Sequence, residues 1–145
     1  MTPPVNFRVL ALALTVALAT SSALAQQDDC KTGIARLTTA QSAVESAHTK
    51  ALSLFLTFGI ASTMQGEKQK AYFAELCRPD GLADFDNAAT ALDDATAAAT
   101  KAETLCPIGR EHDNASALHK QYVEMNESAA GMKSTAMKMC GEVLH

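Results

Sequence analysis

Cys30, Cys77, Cys106 and Cys140 carry the most reactive chemistry in this sequence, and they come with four histidines and six methionines. None of the histidines His48, His112, His119 and His145 sits in an HExxH, CxxCH or paired Cys/His zinc pattern. His112 and His119 are seven residues apart, roughly 10 Å along a helix, too far to share one ion unaided. Glu111 and Asp113 flank His112, so this stretch reads as a solvated face. His48 falls at the edge of an apolar stripe. A metal or haem ligand there would take Met125 or Met132 as its partner, and without CxxCH any haem would be non-covalent. The commoner role of such a residue is a hydrogen-bonded seam histidine.

Met125, Met132, Met137 and Met139 suit Cu(I) by their softness. Three of them keep heptad spacing, which reads as core filling, since methionine packs irregular gaps well. The acidic pairs Asp84/Asp86 and Asp93/Asp94 lack the glycine and glutamate of an EF-hand loop and read as helix-terminal charge and a solvated face. There is no Gly-rich phosphate loop and no local Ser/His/Asp motif. The expectation is therefore no catalytic residue, no bound metal and no cofactor. Two Asn-x-Ser sites begin at Asn114 and Asn126 and matter only in a host that glycosylates exported proteins.

The cysteines are better read as crosslinks, because the chain carries an export address. Residues 1–25 have the form of a secretory signal. Arg8 lies ahead of an apolar run, Val9 to Ala19, that is too short to span a bilayer. Ala23-Leu24-Ala25 is an A-x-A cleavage site followed by the polar Gln26-Gln27-Asp28-Asp29. Cleavage leaves a single domain, residues 26–145, that keeps all 4 cysteines. Cys30 is five residues past the cut, which argues against a lipoprotein, and the C-terminus is no GPI tail. The predicted location is periplasmic or secreted, and an even cysteine count there predicts two disulfides.

The elements that must position these residues are helices. Pro and Gly are rare in the mature chain and divide it at Gly66, at Arg78-Pro79-Asp80-Gly81 and at Cys106-Pro107-Ile108-Gly109. Apolar residues recur every seventh position between these stops. Cys30, Leu37, Val44, Ala51 and Phe58 form one seam, and Phe85, Leu92, Ala99 and Cys106 a second. Leu118, Met125, Met132 and Met139, alternating with Tyr122, Ala129, Ala136 and Val143, form a third. Three such seams predict helices packed at shallow angles. The predicted helices cover 31–64, 67–78, 82–104 and 111–140. The fold class is all-α: an elongated up-down-up bundle whose return leg is broken at Pro79–Gly81. A compact four-helix bundle with the first helix broken near Gly59 is the rival.

This layout predicts the disulfides. Cys30 and Cys106 both fall at the bottom of the bundle, while Cys77 and Cys140 both fall high, on legs that run in opposite directions. A bond needs Cα atoms within ~7 Å, so the predicted pairs are Cys30–Cys106 and Cys77–Cys140.

One stretch fits less easily. Leu52, Leu54, Leu56, Phe58 and Ile60 alternate as in a strand, yet Ala51 and Phe55 carry the helical stripe through the same residues. Read as helix, the stretch is apolar on more than one side. It is then either covered by Tyr72, Phe73 and Leu76 or left as a contact surface.

The chain has 12 Lys+Arg against 16 Asp+Glu, a net charge of -4, which argues against a nucleic-acid surface. Its hydrophobic fraction of 48% is ample for a core. The expected function is non-catalytic binding of a protein, lipid or surface, with no membrane span. The alternative is a periplasmic metal- or haem-binding bundle using His48, His119 and the Met-rich last helix.

Overall fold

The computed structural model describes the backbone of residues 7–145 and the side chains of residues 22–145. The first six residues of the expected leader lie outside the described residues. The described chain forms four helices, α1 (Phe7–Ser62), α2 (Gly66–Leu76), α3 (Ala83–Leu105) and α4 (Arg110–Leu144). No helix among the described residues is long and apolar enough to cross a membrane.

α1 begins earlier than the heptad seam alone predicts. No Gly or Pro occurs between Phe7 and Cys30, so nothing in the chain stops the helix, and it runs through the Ala23-Leu24-Ala25 site. It also continues through Gly59, which disposes of the rival with a break there. The helix ends at Thr63–Gln65, where Gly66 takes φ 66°, a left-handed conformation that glycine adopts without a Cβ clash. The second turn needs glycine for a different reason. A Cβ on Gly81 would lie 2.5 Å from the Leu76 carbonyl oxygen and 2.7 Å from that of Glu75. The chain folds back onto the C-terminal end of α2 there, and only glycine leaves the room.

α3 packs along both α1 and α4, whereas α1 and α4 meet less extensively. α2 bridges α1 and α4. Cross-helix polar pairs give the sense of the α3–α4 packing: Lys133 with Asp86, Asn126 with Asp93, and His119 with Glu103. The numbers fall on one helix as they rise on the other, so the two run antiparallel. The result is the up-down-up bundle, with α2 and α3 as its broken return leg.

The core has two parts. The lower is built on small residues: Ala95, Ala99, Ala102, Ala115 and Ala129 surround Leu37, Val44, Leu92 and Tyr122. Alanine on the facing surfaces lets the helix axes approach closely. The upper part is aromatic. Phe58 from α1 meets Phe73 of α2 edge-on at a ring separation of 5.8 Å, and Phe85 of α3 at 6.3 Å. All three rings are buried. Both ends are tied covalently. Cys30 bonds Cys106 with Cα atoms 4.5 Å apart, and Cys77 bonds Cys140 at 5.8 Å. Disulfides of this kind persist in oxidising compartments.

Candidate functional site

The helical phase of α1 divides the Leu52–Ile60 stretch between two faces. Phe58 points into the upper core and is fully buried under Phe73. Leu54 and Phe55 are half-buried against the same cluster, beside Leu76. Leu52, Leu56 and Ile60 lie on the other side, and α2 does not cover them. They are 44%, 60% and 62% exposed. Tyr72, a candidate cover, is itself exposed. The three exposed side chains sit at i, i+4 and i+8, so they form one ridge along the helix. Ser53, Gly59 and Thr63 beside them are exposed too, and nothing lies within 4 Å of a Cβ built on Gly59. The face is apolar and open, on a helix that one disulfide, Cys30–Cys106, ties to the C-terminal end of α3.

A second feature lies lower down, where α1 and α4 part. A cleft of about 230 Å³ is lined by Val44, His48, Leu118, Tyr122 and Met125, with Gln41, Glu45 and Gln121 also contributing. His48 Nδ1 and the Tyr122 hydroxyl are both buried there without a hydrogen-bond partner. Burial raises the Tyr122 pKa, and the Glu45 carboxylate nearby raises it further, so the phenol stays neutral. His48 thus sits at the seam edge, where its Nδ1 meets no hydrogen-bonding side chain or backbone group.

The structure brings His48 and Met125 to one cleft and leaves the other metal candidates elsewhere. His119 Nδ1 lies 3.7 Å from Glu103 on α3, and His112 pairs with its neighbour Asp113 at 3.4 Å. Met132 packs against both parts of the core, Met139 against the upper part, and Met137 is exposed. Among the described residues no group of three or more His, Cys, Asp or Glu side chains is placed to hold a metal. All four cysteines are in disulfides. Asn126 donates to Asp93 at 2.7 Å, so the nitrogen that would carry a glycan already ties α4 to α3.

Three features were not anticipated. The Tyr122 hydroxyl could have been flagged, since a tyrosine at a buried seam position must find a partner for its polar end. Val123, Met137 and Leu144 are exposed on α4 at multiples of seven, a periodicity hidden by the stronger seam beside it. Ile108, 92% exposed at the α3–α4 turn, borders a cleft of about 770 Å³ whose other wall is the stretch of α1 from residue 23 to residue 35. Only the folded chain brings those two segments together.

The chain matches no family model, no curated protein and no solved structure.

Proposed function

We propose that this is an exported, non-catalytic interaction protein, and that the Leu52–Leu56–Ile60 ridge of α1 is its binding face. The observation that carries the reading is the exposure of three large aliphatic side chains in one row, on a helix whose opposite face is fully committed to the core. Burying each such side chain is worth up to ~1.5–3 kcal/mol, so a row of them is a costly thing to leave in water without a use. The Cys30–Cys106 disulfide and the packing of Phe58 against Phe73 and Phe85 hold the helix in place, which reduces the entropy lost on binding. Export follows from the Ala23-Leu24-Ala25 site, and the mature protein then begins at Gln26.

A photo-crosslinking residue placed at position 56 of the exported protein tests the reading. A single discrete adduct is expected, lost when Leu52→Asp is added and not formed from the exposed position Thr38 on the same helix. No adduct, or the same adducts from both positions, would overturn it.

One observation favours a second reading. His48 and Met125 line one cleft with the His48 Nδ1 unpartnered, which is the donor set that a soft metal or a haem would use. An absorption spectrum and metal analysis of the purified protein separate the two, because the first reading requires no chromophore and no stoichiometric metal.

A further inference from the structure

We propose that the partner of the Leu52–Leu56–Ile60 ridge is a second copy of this chain, packed α1 to α1 and antiparallel about a two-fold axis at Leu56. The proposal rests on the interaction reading above and names its occupant. It follows from a symmetry in the residues themselves. Counting outward from Leu56, Ser53 and Gly59 are both small, Leu52 and Ile60 are both large and aliphatic, and Thr49 and Thr63 are identical. A two-fold interface is isologous and requires the same patch to complement itself. With the axis at Leu56, Leu52 of one copy meets Ile60 of the other, and Leu56 meets Leu56. Ser53 and Gly59 flank the ridge on either side by helical phase and leave shallow grooves into which the facing ridge can settle. Gly59 has open space around it, so the second backbone can come close.

Charge points the same way. Thr49, Leu52, Ser53, Leu56, Gly59, Ile60 and Thr63 carry none, so self-apposition sets no like charges against each other. Lys50, the nearest charge in sequence, is turned about 100° from Thr49. No charged residue occurs from Ala51 to Gly66, whereas Glu124, Glu127, Lys133, Lys138 and Glu142 all fall within the span of the other exposed apolar row, Val123, Met137 and Leu144 on α4. The mature chain keeps 11 Lys+Arg against 16 Asp+Glu, and its net charge of -5 repels two copies at long range, so added salt should strengthen the association.

Size sets the strength. Thr49 to Ser62 spans ~20 Å of helix, and one helix pair of that length buries less than the ~1,200 Å² at the low end of standard interfaces. The dimer is therefore weak and concentration-dependent, in the micromolar range or above.

Sedimentation of the mature protein, from about 10 μM to about 1 mM, reads this directly. A monomer–dimer equilibrium is expected, tighter at higher salt. Leu56→Asp should weaken it more than about tenfold, because two carboxylates would meet on the axis. Leu56 is 60% exposed, so this variant keeps its fold, checked by an unchanged helical circular dichroism spectrum and melting temperature. Cysteine substitution then locates the axis. Leu56→Cys alone should oxidise to a covalent dimer bridged through position 56 of both copies, identified by peptide mapping. Leu52→Cys should link to Ile60→Cys in a mixture but not to itself.

A dimer unaffected by Leu56→Asp, or a Leu52→Cys variant that links to itself, would overturn the proposal. So would a wild-type protein that stays monomeric at about 1 mM. If that monomer still gives a discrete adduct to a different protein from position 56, the interaction reading survives and only the second copy is excluded. If it gives none, both fall.

Discussion

Cys77, just past the end of α2, is bonded to Cys140 near the end of α4, with Cα atoms 5.8 Å apart and a sequence separation of 63 residues. The bond holds the short α2 against the top of the bundle, where its Phe73 closes the aromatic core. Replacing both cysteines with serine releases a long loop in the unfolded chain and should cost on the order of 4 kcal/mol in the loop-entropy model. The expected result is a lower denaturation midpoint, with α2 amides exchanging earlier than those of α3. Equal exchange rates in the two helices would show that α2 does not depend on the crosslink.

Gly33 sits where α1 and α3 come close. A Cβ placed on it would lie 3.3 Å from the Ala102 Cα and 3.4 Å from a methyl of Leu105. Gly33→Ala sets a helix-propensity gain of about 1 kcal/mol against that crowding, so its net effect should be small. Gly33→Leu has no room and should destabilise by ~1–3 kcal/mol or more. Thermal melts of the pair check both. A Leu variant as stable as wild type would mean that α1 and α3 can separate freely.

Phe58 and Leu56 are two residues apart and should behave oppositely. Phe58 is fully buried between Phe73 and Phe85, and Phe58→Ala should cost ~3–5 kcal/mol. Leu56→Ala, on the exposed ridge, should shift the stability of the dilute monomer by no more than about 0.5 kcal/mol. Urea denaturation of both variants at low protein concentration checks the contrast.

Tyr122 should make stability depend on pH at the alkaline end. Burial and the Glu45 charge raise its folded pKa above the ordinary value of 10.0. The neutral phenol is thus favoured in the fold. The resulting stability is fully present below the unfolded value and is lost as pH rises through the folded one. Tyr122→Phe should remove that alkaline loss. Below it the variant should match or slightly exceed wild type, since the hydroxyl has no hydrogen-bond partner to lose. An alkaline loss that survives in the variant would assign the titration to another group.

Much of this was legible before folding. The heptad spacing of Leu37, Val44, Ala51 and Phe58 marked the buried face of α1, and all four are buried. Pro79 and Gly81 marked the break in the return leg, and the helices on either side end and begin there. The start of α1 was not legible from the seam, because helix propensity continues upstream of the first core residue. The partner of His119 was not legible either. Glu103 lies on a different helix, and no local pattern encodes a pairing across a turn.

The helices, their order along the bundle and the two disulfide pairs follow from the linear chain. They depend on axial quantities: a fixed rise per residue and a seven-residue repeat, both set by the backbone and readable along one chain. The azimuth of each face had to wait for the helices to pack. The Leu52–Ile60 stretch is apolar nearly all round, so no periodicity within it could say which side α2 would cover. Packing of Phe73 against Phe58 decided that, and left Leu52, Leu56 and Ile60 in water. The same holds for the cleft of His48, Tyr122 and Met125, which exists because α3 packs along both long helices while α1 and α4 stay partly apart.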